Sequence, residues 1–123
     1  MRFNNAKVIL APDLAESLFY LRDVFTNEYH CRMSISKTIG KLANQYTVAD
    51  HKVFLGVRPD KFVYRHTPQN RIADQVKLKT ISLNPSATTY VDQLIQKLFN
   101  CFGIKYNRRE IVNILVDYNC MEL

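Results

Sequence analysis

Cysteine is scarce and shows no pairing pattern. Cys31, Cys101 and Cys120 are odd in number and form no C-x-x-C pair, and His30, His51 and His66 stand at no metal-ligand spacing from them. Neither a disulfide framework nor a zinc site is expected, and no metal or cofactor. Glycine is also rare, and the three present make no phosphate-binding loop. Long apolar runs are missing: nothing approaches the roughly 18 residues of a membrane span. Met1-Arg2-Phe3-Asn4-Asn5 lacks the basic start and apolar segment of a secretion signal. The expectation is a cytoplasmic chain with no membrane contact. Catalytic motifs are absent too, since the acids are scattered and no serine, cysteine or histidine stands in a local nucleophile pattern. Seven tyrosines offer a nuclease nucleophile in principle, but Tyr29, Tyr46, Tyr90 and Tyr118 lie on or beside apolar stripes, which marks them as core or interface. No catalytic residue is assigned, and an enzyme is not expected.

What remains is an ordinary folded composition, 47% hydrophobic over 123 residues, enough for one domain or two small units on a shared core. The net charge is +6. It is spread evenly: residues 1–46 carry six Lys/Arg against four Asp/Glu, residues 47–75 five against three, and residues 76–123 six against four. A mild excess distributed in this way suits a partner that touches the whole molecule, such as a nucleic-acid backbone.

The two ends of the chain repeat each other at an offset of 73 residues, the distance from Val8 to Ile81. Val8-Ile9-Leu10-Ala11-Pro12-Asp13 falls on Ile81-Ser82-Leu83-Asn84-Pro85-Ser86, a short alternating strand broken by a proline that opens a helix. Leu14, Leu18, Leu21, Phe25 and Tyr29 fall on Ala87, Val91, Leu94, Leu98 and Phe102, one apolar helical stripe used twice. Gly103 ends that helix in the second copy; the first copy has no glycine, and its turn rests on the following cap. A second helix follows, with Ser34 and Asn107 as aligned N-caps and Ile111, Ile114, Leu115 and Tyr118 as the buried face of the later copy. Residues 1–46 and 76–123 are therefore read as two strand-helix-helix units, with Ala6 to Leu10 paired antiparallel to Lys79 to Leu83 in one chain. Between them, Lys52-Val53-Phe54-Leu55-Gly56-Val57 and Phe62-Val63-Tyr64-Arg65 flank Arg58-Pro59-Asp60-Lys61, which reads as a basic β-hairpin, followed by a polar tether from His66 to Gln75.

Thr80-Ile81-Ser82-Leu83-Asn84-Pro85, a helix, a glycine and the capped run Asn107-Arg108-Arg109-Glu110-Ile111-Val112 resemble the ribbon-helix-helix DNA-binding family of Arc-like and MetJ-like repressors. The first helix is about one turn longer than is usual there. The resemblance implies an α+β, mainly α fold in which two units share an antiparallel ribbon placed in the major groove. Most members obtain the second unit from a second chain, whereas this chain carries both, like the tandem TraY-type accessory proteins of conjugative relaxosomes. The implied function is sequence-specific binding of double-stranded DNA, as a transcriptional repressor or a relaxosome accessory factor, by a monomeric pseudo-dimer or a higher assembly on DNA. Base contact falls to Asn5, Lys7, Ile9, Leu78, Thr80 and Ser82; the apolar Ile9 and Leu78 can touch thymine methyls or equally be covered by another part of the protein, and the plainer alternative for Lys7, Thr80 and Ser82 is the solvated face of a ribbon. Phosphate contact falls to Ser34, Ser36, Lys37, Asn107, Arg108 and Arg109 at the starts of the second helices, where free N–H groups and cations favour anions. The diverged copies imply a non-palindromic site, one half dependent on Lys7 and the other on Thr80 and Ser82. The alternative is an antitoxin-like protein-interaction module without a primary DNA role, with residues 52–65 as the surface for a protein partner.

Overall fold

The structure, a computed structural model, describes residues 6–10, 12–57 and 79–121. In chain order its elements are β1 (Ala6–Leu10), α1 (Pro12–Tyr29), α2 (Ile35–Gln45), α3 (Val48–Val57), β2 (Lys79–Leu83), α4 (Pro85–Phe102) and α5 (Arg108–Met121). Among the described residues the architecture is α+β, mainly helical, with a two-stranded antiparallel sheet. The repeat offset survives in the elements: β2, α4 and α5 each begin 73 residues after β1, α1 and α2.

Ala6 pairs with Leu83, Lys7 with Ser82, Val8 with Ile81, Ile9 with Thr80 and Leu10 with Lys79. Val8 and Ile81 are also repeat equivalents, so a pseudo-twofold axis passes through that pair. Alternation along each strand sorts the side chains. Val8, Leu10, Ile81 and Leu83 are buried on the helical side, while Lys7 and Thr80 are exposed and Ile9 and Ser82 half-buried on the other.

An isolated two-stranded ribbon is marginal in water, and here the helices supply its core. α2 lies along α4 and α5 along α1, so each half's second helix packs on the other half's first. Gly40 permits the first approach, since a Cβ there would stand 3.4 Å from Ala87 Cα. α5 is more deeply buried than its apolar stripe alone indicates: residues 111–117 are all buried, because α1, α2, α4 and β1 surround it. Burying Asn113 requires hydrogen bonds, and its Nδ2 donates to Arg109 O at 2.7 Å and to Ile9 O at 3.1 Å.

The caps follow the residues expected to make them. Ser34 Oγ accepts from Lys37 N at 3.0 Å. Asn107 Oδ1 accepts from Glu110 N at 2.8 Å while Glu110 Oε1 accepts from Asn107 N at 2.9 Å, a reciprocal capping box. α4 ends on Gly103, left-handed at φ 70°, whose N–H donates to Phe99 O at 2.8 Å. The first copy makes the same turn without glycine, placing its equivalent, His30, at φ 55°.

One expectation fails. Lys52–Val57, expected as a strand of the hairpin, is the greater part of the α3 helix. Thr47 and Asp50 close that helix start, with Asp50 Oδ2 accepting from Thr47 N at 2.9 Å and Thr47 Oγ1 from Asp50 N at 3.2 Å. His51 and Phe54 then meet the core three residues apart, a helical and not a strand spacing. The rest of the hairpin and the tether, 58–75, lie outside the described residues. No helix among the described residues is long and apolar enough to cross a membrane.

Candidate nucleic-acid interface

Lys7, Ile9, Thr80 and Ser82 come together on the outward face of the ribbon because strand alternation places them there. Asn5 and Leu78, which were expected beside them, lie outside the described residues. Lys7 Nζ donates to Ser82 Oγ at 2.8 Å across the ribbon. This pairing corrects the division expected from the repeat alone: Lys7 and Ser82 share one end of the ribbon, and Ile9 and Thr80 share the other. Antiparallel pairing sets a residue opposite its partner in the register and not opposite its repeat equivalent.

The two second helices begin at opposite ends of this face. Asn84, which follows β2, donates its backbone N–H to Ser36 Oγ at 2.7 Å and so ties the start of α2 to the Lys7 and Ser82 end. The bond from Asn113 to Ile9 O ties α5 to the other end. Ser34, Ser36 and Lys37 therefore stand at one end and Asn107, Arg108 and Arg109 at the other.

Side-chain commitments differ between the ends. Lys37 is exposed. An open hollow of about 280 Å³ between α2 and α4 is lined by Ser36, Lys37, Lys41, Asn44, Asn84 and Ser86 together with Gly40, Ala87 and Tyr90. Lys41 Nζ lies 4.2 Å from the centroid of the Tyr29 ring, a cation-π contact that places the ammonium without using its protons. At the other end Arg108 is forked by Asp92, Nε to Oδ1 and Nη2 to Oδ2, both at 2.9 Å. Hydrogen bonding to that carboxylate raises the arginine's pKa above its ordinary value. Arg109 is half-buried, and its Nε has no hydrogen-bond partner among the described residues.

Sequence reasoning missed Lys41 and Asp92, and it gave Tyr90 no place beside the helix starts. Lys41 lies one helical turn beyond Lys37, a spacing that was available to find it. Asp92 is 16 residues before Arg108 and gives no local signal. Tyr90, expected at a core or interface, is 39% exposed, and Tyr29 is 38% exposed; Tyr46 is buried and Tyr118 half-buried as expected.

A second polar cluster lies by α3, where His51 is fully buried. Its Nδ1 is 3.2 Å from Tyr46 Oη and its Nε2 3.0 Å from Tyr106 Oη, so the neutral ring donates to one hydroxyl and accepts from the other. Phe54 stacks on the ring at 6.3 Å and Phe102 tilts against it at 5.4 Å. Burial lowers the pKa of His51. Burial, with a smaller contribution from Glu110, pushes the Tyr106 phenol up to about 12. Beside the cluster, Tyr118 Oη donates to Asp50 Oδ1 at 3.2 Å.

Compared with protein-family models, curated proteins and solved structures, the chain matches none.

Proposed function

We propose that the chain is a sequence-specific double-stranded DNA-binding protein of ribbon-helix-helix construction, both units supplied by one polypeptide, that acts as a repressor or a relaxosome accessory factor. The observation that carries this reading is the outward ribbon face, flanked at its two ends by the capped starts of α2 and α5. A β-ribbon fits the major groove, and helix starts on either side of it meet the phosphate backbone. Side chains on the ribbon would read bases while the helix starts fix register. The excess of positive charge favours the same partner.

Binding to random-sequence duplex DNA, measured over a range of salt concentrations, tests it. Log affinity should fall linearly with log salt, with a slope of about −0.9 for each phosphate neutralised. A flat response would remove the DNA role and leave the protein-interaction reading, which the apolar Ile9 on the ribbon face and the 47% exposed Val53 on α3 favour.

A further inference from the structure

The two ends of the ribbon face are built alike in backbone and unlike in charge. At the end where Lys7 faces Ser82, the described side chains add Lys37 and Lys41 from α2, giving +3, and no carboxylate lines the hollow beside them. At the end where Ile9 faces Thr80, the charges of Arg108 and Arg109 are matched by those of Asp92 and Glu110; Lys105 and its repeat equivalent Arg32, both exposed before the caps, add one cation to each end and leave the difference at three. The repeat makes the contrast position by position: Glu110 stands where the first unit has Lys37, and Ile114 where it has Lys41. Arg108 and Arg109 have no cationic counterparts in the first unit, where Ile35 and Ser36 occupy the positions, but Asp92 takes up the charge of Arg108 and Arg109 is half-buried.

Counterion release scales with the number of phosphates neutralised, so a face with three more positive charges at one end than at the other draws unequally on the two. We propose that the chain grips double-stranded DNA from one side: Lys7, Lys37 and Lys41 hold the backbone at one half-site, and the α5 end docks with little backbone contact. The proposal rests on the DNA-binding reading above and adds a polarity to it. A homodimer of identical units has no such polarity. One chain with two diverged copies would therefore take a single orientation on its site, set by charge before any base is read.

The test uses the intact chain and a duplex site selected from a random pool. Phosphate-ethylation interference on the wild-type complex should cluster in one half-site. Lys37→Gln with Lys41→Gln should lower the salt slope by about two units, and Arg108→Gln with Arg109→Gln by less than one. Circular dichroism establishes that each variant is folded, and the interference pattern needs no variant at all. Interference equal in both halves, or equal slope losses from the two pairs, overturns the one-sided grip while leaving DNA binding in place. A wild-type chain with no salt-dependent affinity for any duplex overturns both.

Discussion

His30 and Gly103 occupy the same position in the two units and solve the same problem at different cost. Both sit in the left-handed region, at φ 55° and 70°, to turn the chain out of the long helix. Glycine reaches that conformation freely, whereas a residue with a Cβ is disfavoured there by about 1–2 kcal/mol. His30 is exposed, so its side chain has no packing role to offset the strain. Replacing it by glycine should stabilise the fold by about 0.5–1 kcal/mol, after allowance for the extra freedom glycine has when unfolded. Gly103→Ala should destabilise by about 1 kcal/mol through the backbone alone, since a Cβ there meets nothing within 4 Å. Urea unfolding of the two variants checks both signs; a destabilising His30→Gly would mean that the imidazole makes a contact worth more than the strain.

α3 shows what the sequence made legible and what it hid. The strands, the long helices and their caps were readable because each rests on local chemistry: alternation at Ile81 and Leu83, prolines at 12 and 85, Ser34 and Asn107 at the second helices. α3 was misread because Val53, Phe54 and Val57 favour strands by type, while the capping pair Thr47 and Asp50 and the spacing of His51 and Phe54 decided for a helix. The Lys7 and Ser82 pairing and the Arg108 to Asp92 fork depend on tertiary register and on no local pattern. At this scale His51 supplies a pH dependence. Burial lowers its pKa below the ordinary 6.5, so the unfolded chain takes up the proton first. The stability contributed by its neutral form is therefore complete above that value and is lost as pH falls through it towards the lower folded-state pKa. The groups facing the ring are the phenols of Tyr46 and Tyr106 and the rings of Phe54 and Phe102, none of them an anion that could hold the imidazolium. The urea midpoint should fall between about pH 7.5 and 5, and His51→Gln, which does not titrate, should flatten that fall even if it lowers the midpoint overall. An identical pH profile in the variant would place the acid sensitivity elsewhere.

For the whole molecule, the pseudo-twofold axis through Val8 and Ile81 relates two halves whose backbones coincide in element order and whose ribbon side chains do not. A symmetric ribbon presents the same groups to both half-sites and favours a palindrome. Here one end offers Lys7 with Ser82 and the other Ile9 with Thr80. Lysine donates to guanine O6 and N7, the hydroxyls serve donors or acceptors, and isoleucine makes apolar contact only, as with a thymine methyl. If the chain binds DNA as proposed, the site for one chain should therefore be non-palindromic, with base preference divided by ribbon end and not by unit. Lys7→Ala should weaken binding by roughly 1–3 kcal/mol and relax preference in one half-site. Ser82→Ala should relax that same half, because the hydroxyl lies 2.8 Å from the lysine ammonium and positions it. Thr80→Ala should relax the opposite half. Selecting binding sites for the wild type and the three variants from a random duplex pool separates the alternatives. If Ser82→Ala relaxes the half that Thr80 reads, each unit addresses its own half-site and the cross-strand pairing does not govern recognition. If the wild-type site is a perfect palindrome, two chains bind symmetrically, and the asymmetry of a single ribbon plays no part in the choice of sequence.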